Sequence, residues 1–154
     1  MDLYILRHGE AEHGPPDALR RLTPAGEREV AAVGRLLARR RRPFDLIVSS
    51  HLTRAVQTAE IVARAVGGEA VLRQTPELVS GCGLEEVRRA LGDVPEAAAV
   101  LLVGHEPSWS RLIQTLCGAQ VRMVTGGLAR LYVPELAPGA GLLRWLLTPP
   151  LLER

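Results

Sequence analysis

Ala99-Val100-Leu101-Leu102-Val103-Gly104-His105-Glu106 decides the fold. Five apolar residues in a row leave no polar face, the pattern of a central strand covered on both sides of its sheet. A strand with one face in water would alternate instead. Polar residues arrive only where the run closes, at His105 and Glu106. Two other runs of strand length end in the same manner. Leu3-Tyr4-Ile5-Leu6 gives way to Arg7-His8-Gly9-Glu10, and Asp45-Leu46-Ile47-Val48 gives way to Ser49-Ser50-His51 with Arg54 just beyond.

Helical periodicity fills the intervals. Thr23-Pro24 has the form of an N-cap followed by proline in the first turn, and Val30, Val33, Leu36 and Leu37 form one stripe. Val56, Ala59, Val62, Ala63 and Val66 mark a second helix, closed by Gly67-Gly68. A short strand near 70–72 precedes a helix carrying Leu84, Val87 and Leu91. Pro107-Ser108 opens a helix whose Trp109, Leu112, Ile113 and Leu116 share a face. Residues 128–133 and 142–147 read as two last strands. The Pro138-Gly139-Ala140-Gly141 turn between them is too short for a crossover helix, so they form an antiparallel hairpin. The alternation predicts an α/β fold: a three-layer α/β/α sandwich with a mostly parallel sheet and a C-terminal antiparallel hairpin. It predicts one domain over residues 1–154.

Composition narrows the class of function. With 47% hydrophobic and 23% charged residues, the chain has the makeup of a water-soluble globular protein. A net charge of +2 is too small for a nucleic-acid binder, and no apolar run reaches the length that spans a bilayer. All 19 basic residues are Arg; there is no Lys and no Asn, which reads as coding bias. Arg39-Arg40-Arg41-Arg42 before Pro43 reads as a helix end, where cations oppose the macrodipole. The other reading is a docking patch for an acidic partner. Cys82 and Cys117 have neither metal-ligand spacing nor a disulfide framework, which suits a reducing compartment. Met1-Asp2 leads directly into a strand with no signal peptide, so the expected location is the cytoplasm and the expected state a monomer.

In open α/β sheets, ligands bind at the carboxyl ends of the strands. Parallel strands would bring Arg7-His8, Arg54 and His105 to one edge. Two guanidiniums repel a metal cation but suit a dianion, and a helix start adds its positive end. No metal or cofactor is therefore expected. A histidine among such donors is better employed as a nucleophile than as a clamp, because guanidiniums favour neutral imidazole and leave a lone pair for attack.

These residues resemble the histidine phosphatase (phosphoglycerate-mutase-like) superfamily. Arg7-His8-Gly9 matches its signature, and the stretch from Ser49-Ser50 through Leu52, Arg54-Ala55 and Gln57-Thr58-Ala59 matches its second block. Val103-Gly104-His105-Glu106-Pro107 matches the third, and Leu22-Thr23-Pro24-Ala25-Gly26 is similar to the opening of the first helix. The resemblance implies that His8 is the nucleophile, that Arg7 and Arg54 hold the phosphoryl oxygens, and that His105 donates to them. Gly9, Glu10 and Thr125 are further candidates for the substrate pocket, Thr125 because Gly126-Gly127 permits close approach. Many members carry Leu-x-Glu after the third strand as proton donor. Here Pro76-Glu77-Leu78-Val79-Ser80 places Ser80 at that position. The short outline with Cys82-Gly83 is similar to SixA-type phosphohistidine phosphatases.

The implied substrate is phosphohistidine on a protein. A small phosphate ester is the alternative, with Glu106 as the acid unless its charge merely serves the helix start. A non-catalytic phospho-protein binding module would keep Arg7, Arg54 and His105 but lack His8. Substrate choice falls to rim residues such as Glu12, His13 and the 80–84 loop.

Overall fold

The computed structural model describes residues 1–68, 70–96 and 98–152. Strands β1 (Asp2–Arg7), β2 (Leu46–Ser50), β3 (Val71–Thr75), β4 (Ala99–Gly104), β5 (Leu128–Tyr132) and β6 (Leu142–Leu147) form one sheet in the order β3-β2-β4-β1-β5-β6. The first four in that order are mutually parallel. β5 lies antiparallel to β1 and β6 antiparallel to β5, so the hairpin extends the parallel sheet at the β1 side. The fold is the expected α/β sandwich. β4 sits between β1 and β2, where both of its faces are covered, which is why all six of its residues are buried.

Strands alternate their side chains between the two faces, and the core divides accordingly. Leu3, Ile5, Val48, Val100 and Leu102 pack under α3 (Leu84–Leu91) and α4 (Ser108–Cys117), with Val87, Leu91, Trp109 and Ile113. Tyr4, Leu6, Ile47, Leu101 and Val103 pack under α1 (Pro24–Ala38) and α2 (Thr53–Val66), with Val30, Val33, Ala59 and Val62. Each such aliphatic side chain contributes roughly 1.5–3 kcal/mol on leaving water. Trp109 is fully buried and satisfies its indole N–H on the Leu6 carbonyl at 2.9 Å, which fastens α4 to β1.

Local signals set the helix boundaries. The Thr23 hydroxyl accepts the Gly26 N–H at 3.0 Å and starts α1 as expected of an N-cap. α1 ends at Ala38, and two of the four arginines after it have structural partners. Arg40 lies over the Tyr4 and Phe44 rings at 4.4 and 3.9 Å and pairs with Asp2, while Arg42 pairs with Asp45.

Strand boundaries differ from the sequence reading at several ends: β1 takes in Asp2 and Arg7, β4 takes in Gly104 and β5 stops at Tyr132. β2 continues through Ser49 and Ser50, which are buried although polar. β3 runs over 71–75 instead of 70–72; as an edge strand it is largely exposed and carries no buried pattern. Cys82 and Cys117 are free thiols. No helix among the described residues is long and apolar enough to cross a membrane.

Candidate active site

Because β1, β2 and β4 are parallel, their carboxyl ends share one edge. Arg7 stands opposite Gly104 in the β1–β4 register, and the His8 N–H donates to the Gly104 carbonyl at 3.0 Å. The His8 and His105 rings thereby lie side by side, with centroids 5.1 Å apart and planes tilted by 54°. Arg54, in the first turn of α2, reaches the same point: its Nε–H donates to His8 Nε2 at 3.4 Å. Residues from three separate stretches of chain form one cluster.

The hydrogen bonds of His8 fix its tautomer. Nδ1 lies 2.7 Å from the Gly9 carbonyl oxygen, which can only accept. Nδ1 therefore carries the proton, and Nε2 presents its lone pair to Arg54 and to the site. Burial is the main force that lowers the His8 pKa to about 4; the Gly9 bond opposes it, while the charges of Arg54, Arg7 and Arg20 add to it. Burial likewise takes His105 down to about 3, followed by the influence of His8 and Arg54. Both imidazoles are neutral at neutral pH. The two ring nitrogens of His105 are buried with no protein partner, as is Arg7 Nε. A buried donor without a partner costs about 1–3 kcal/mol, a cost that an oxyanion reaching Arg7 Nε and the one N–H of His105 would relieve.

Both arginines are tethered at their far ends. Arg7 Nη1 donates to the Met123 carbonyl at 3.0 Å. Arg54 Nη1 donates to the Asp17 carbonyl at 2.9 Å, and its Nη2 to the Asp17 carboxylate at 3.3 Å. The Nε edge of Arg54 is thereby left to His8, and Arg7 Nε to no protein group. The segment after Met123 also grips the backbone here: Arg7 N–H donates to Gly127 O and Gly126 N–H to His8 O, both at 3.0 Å. Half-buried Thr125 belongs to this grip.

Gly9 donates its N–H to Thr58 Oγ at 3.2 Å, and the Thr58 hydroxyl donates to the Arg54 carbonyl at 2.7 Å. A methyl group on Gly9 would lie 2.7 Å from Val30 and 2.8 Å from the Gly26 carbonyl, so α1 approaches too closely for any side chain. Glu10 is exposed beside this crossing, and its backbone carbonyl accepts the Thr23 N–H at 3.0 Å. The Glu106 carboxylate turns toward the start of α4. One oxygen accepts the Ser110 N–H at 2.9 Å and the other the Ser110 hydroxyl at 2.5 Å. Ser80 donates to the Glu106 carbonyl at 3.1 Å, placing its loop at the rim of the site.

Three participants escaped the sequence reading, Asp17, Ser110 and Met123, while Thr58 entered it only as part of the second block, with no role of its own. Thr58 had a usable signal, lying one helical turn after Arg54 on the same face. Met123 acts through its carbonyl, which any residue supplies. Among the described residues, no group of three or more His, Cys, Asp or Glu side chains is arranged to hold a metal ion.

Fold and site define a class. The chain belongs to the histidine phosphatase superfamily (branch 1), whose family model matches residues 3–79. Within that class its structure is of the SixA type. The protein histidine phosphatase SixA, solved with tungstate, is 26% identical with a TM-score of 0.86 over 99% of both chains. An uncharacterised protein of Picosynechococcus sp. is 34% identical over 128 residues, 73% of each chain. Broad-specificity phosphatase YOR283W of Saccharomyces cerevisiae is 36% identical over 67 residues, 40% of this chain and 29% of the yeast protein's length.

Proposed function

We propose that this protein is a metal-independent phosphatase that works through a phosphohistidine on His8 and takes its phosphoryl group from phosphohistidine on proteins. The observation that carries the reading is the His8 ring: neutral, locked in one tautomer by Gly9, and facing two guanidiniums and His105 with Nε2 unprotonated. In the reaction the Nε2 lone pair attacks phosphorus and the bond from phosphorus to the substrate nitrogen breaks. The departing imidazole takes a proton from water. Water then attacks the phosphorus on His8, releasing inorganic phosphate and restoring the ring. In this reading Arg7 Nε and a His105 N–H serve the equatorial oxygens, where charge builds up, and the Arg54 Nε–H joins them as it leaves the Nε2 that attacks phosphorus. Guanidiniums in this role make a metal ion unnecessary.

Two features support a phosphoramidate substrate on a protein. Imidazole departs readily without a dedicated acid, and both Glu106 oxygens are already engaged by Ser110. The flanking loops also carry hollows of about 100 to 380 Å³, lined by residues such as Glu12, His13 and Ser80 and not by the catalytic side chains. Such a rim admits a histidine displayed on a folded surface. The free cysteines fit a reducing, cytoplasmic setting.

The test is release of phosphate from a phosphohistidine-bearing domain in EDTA, with an acid-labile phosphoenzyme trapped in the wild type and absent from His8→Ala. Equal or faster turnover of small phosphate esters would reassign the substrate. A large loss on esters alone in Glu106→Gln would then make Glu106 the acid. Tight phospho-ligand binding with no trapped phosphoenzyme would point to a binding module.

A further inference from the structure

Arg54 is held by a single surface residue. Asp17 begins a one-turn 3₁₀ segment (Asp17–Leu19) in the loop between β1 and α1. Its carbonyl and one carboxylate oxygen take the two terminal nitrogens of Arg54, at 2.9 and 3.3 Å. The other carboxylate oxygen accepts Arg20 Nε at 3.0 Å, and Arg20 Nη1 closes the loop on the Glu12 carbonyl at 3.1 Å. One carboxylate therefore bridges two guanidiniums. Burial pushes the Asp17 carboxyl up, but the charge of Arg54 and the bonds from Arg20 outweigh it and hold the group below its ordinary value. The bridge is ionised at neutral pH.

A guanidinium is a planar fork with five N–H groups. Asp17 occupies the end of the Arg54 fork, and the edge carrying Nε faces His8. We propose that Asp17 is a positioning residue of the phosphoryl site, fixing the rotation of the Arg54 plane so that its Nε edge serves the group attacked by His8. The proposal rests on the phosphatase reading but concerns phosphoryl binding, not the leaving group. Arg7 has a comparable tether from the Met123 carbonyl, beyond reach of side-chain change. Arg54 depends on the Asp17 side chain together with its turn. Displacing a binding group by about 1 Å can cost a hundredfold in rate, so loosening this fork is felt at phosphorus.

The experiment titrates inorganic phosphate into the full-length protein by calorimetry, beside steady-state kinetics. Asp17→Ala is expected to weaken phosphate binding about tenfold and to lower kcat by a similar factor. Its unfolding midpoint should stay near wild type, since the carboxylate lies at the surface with 67% of its side chain exposed. Asp17→Asn keeps an acceptor oxygen in place and should restore most of both losses. Phosphate affinity unchanged in Asp17→Ala would overturn the proposal. Tighter affinity would overturn it too, by showing that Asp17 competes with the dianion. If the wild type hydrolyses small esters and spares phosphohistidine, the substrate reading fails while the phosphate titrations still judge Asp17.

Discussion

A histidine nucleophile must be unprotonated, oriented and able to form a bond at one nitrogen. At His8 one short contact from Nδ1 to the Gly9 carbonyl supplies orientation and tautomer, and burial supplies the lowered pKa. The ring resonances of His8 should therefore titrate near pH 4 by NMR, more than two units below free imidazole. A midpoint near 6.5 would mean that the ring is not desolvated as the structure has it. His105 has a different task. With both ring nitrogens free of protein partners, its contribution is realised when a phosphoryl oxygen gains charge. His105→Gln should lower kcat by about 10²–10³, the usual effect of losing one such donor. A loss confined to KM would place His105 in ground-state binding instead.

At the scale of elements, the site exists because three parallel strands end level and two segments clamp the end of β1. One clamp is the crossing of the Gly9 backbone over α1 at Gly26; the other is the 123–127 stretch. Gly9→Ala forces a methyl group into a gap bounded by Val30 and the Gly26 carbonyl. It should cost about 1–3 kcal/mol by overpacking and also reduce activity, because His8 Nδ1 bonds the carbonyl of that same residue. Denaturant unfolding and kinetics on one preparation check both effects. Elements also explain what the sequence revealed. β1 and β4 were legible because strands covered on both faces are apolar throughout, and their polar ends then marked the site. β3 was poorly bounded because Val71, Leu72, Arg73 and Gln74 are exposed on an edge strand and obey no burial period. The arginines themselves were legible by residue type. Their tethers were not: Met123 acts through its backbone carbonyl, which leaves no trace in residue identity, and Asp17, which uses its carbonyl and its carboxylate, sits in a loop with no repeating pattern.

For the whole molecule, a site built from two buried neutral histidines makes stability depend on pH. In the unfolded chain each imidazole titrates near 6.5; in the native protein His8 does so near 4 and His105 near 3. Between those values the unfolded chain binds more protons than the folded one, so stability falls as pH falls. The loss begins as pH drops through 6.5 and is complete only below the native values. Folding is therefore at full strength above about pH 6.5 as far as these two groups are concerned. The two shifts together amount to a loss on the order of several kcal/mol, enough to lower the unfolding midpoint by roughly 10 °C in a domain of this size. Calorimetry at pH 7 and pH 4 should record that drop, and His105→Gln, which lacks one titrating ring, should show a clearly smaller one. Identical drops in both proteins would place the acid sensitivity elsewhere in the molecule. Inorganic phosphate at saturating concentration should raise the midpoint at pH 7 in the wild type, because a ligand bound only to the folded state stabilises it, and should do so less in His105→Gln, where one donor to the anion is gone.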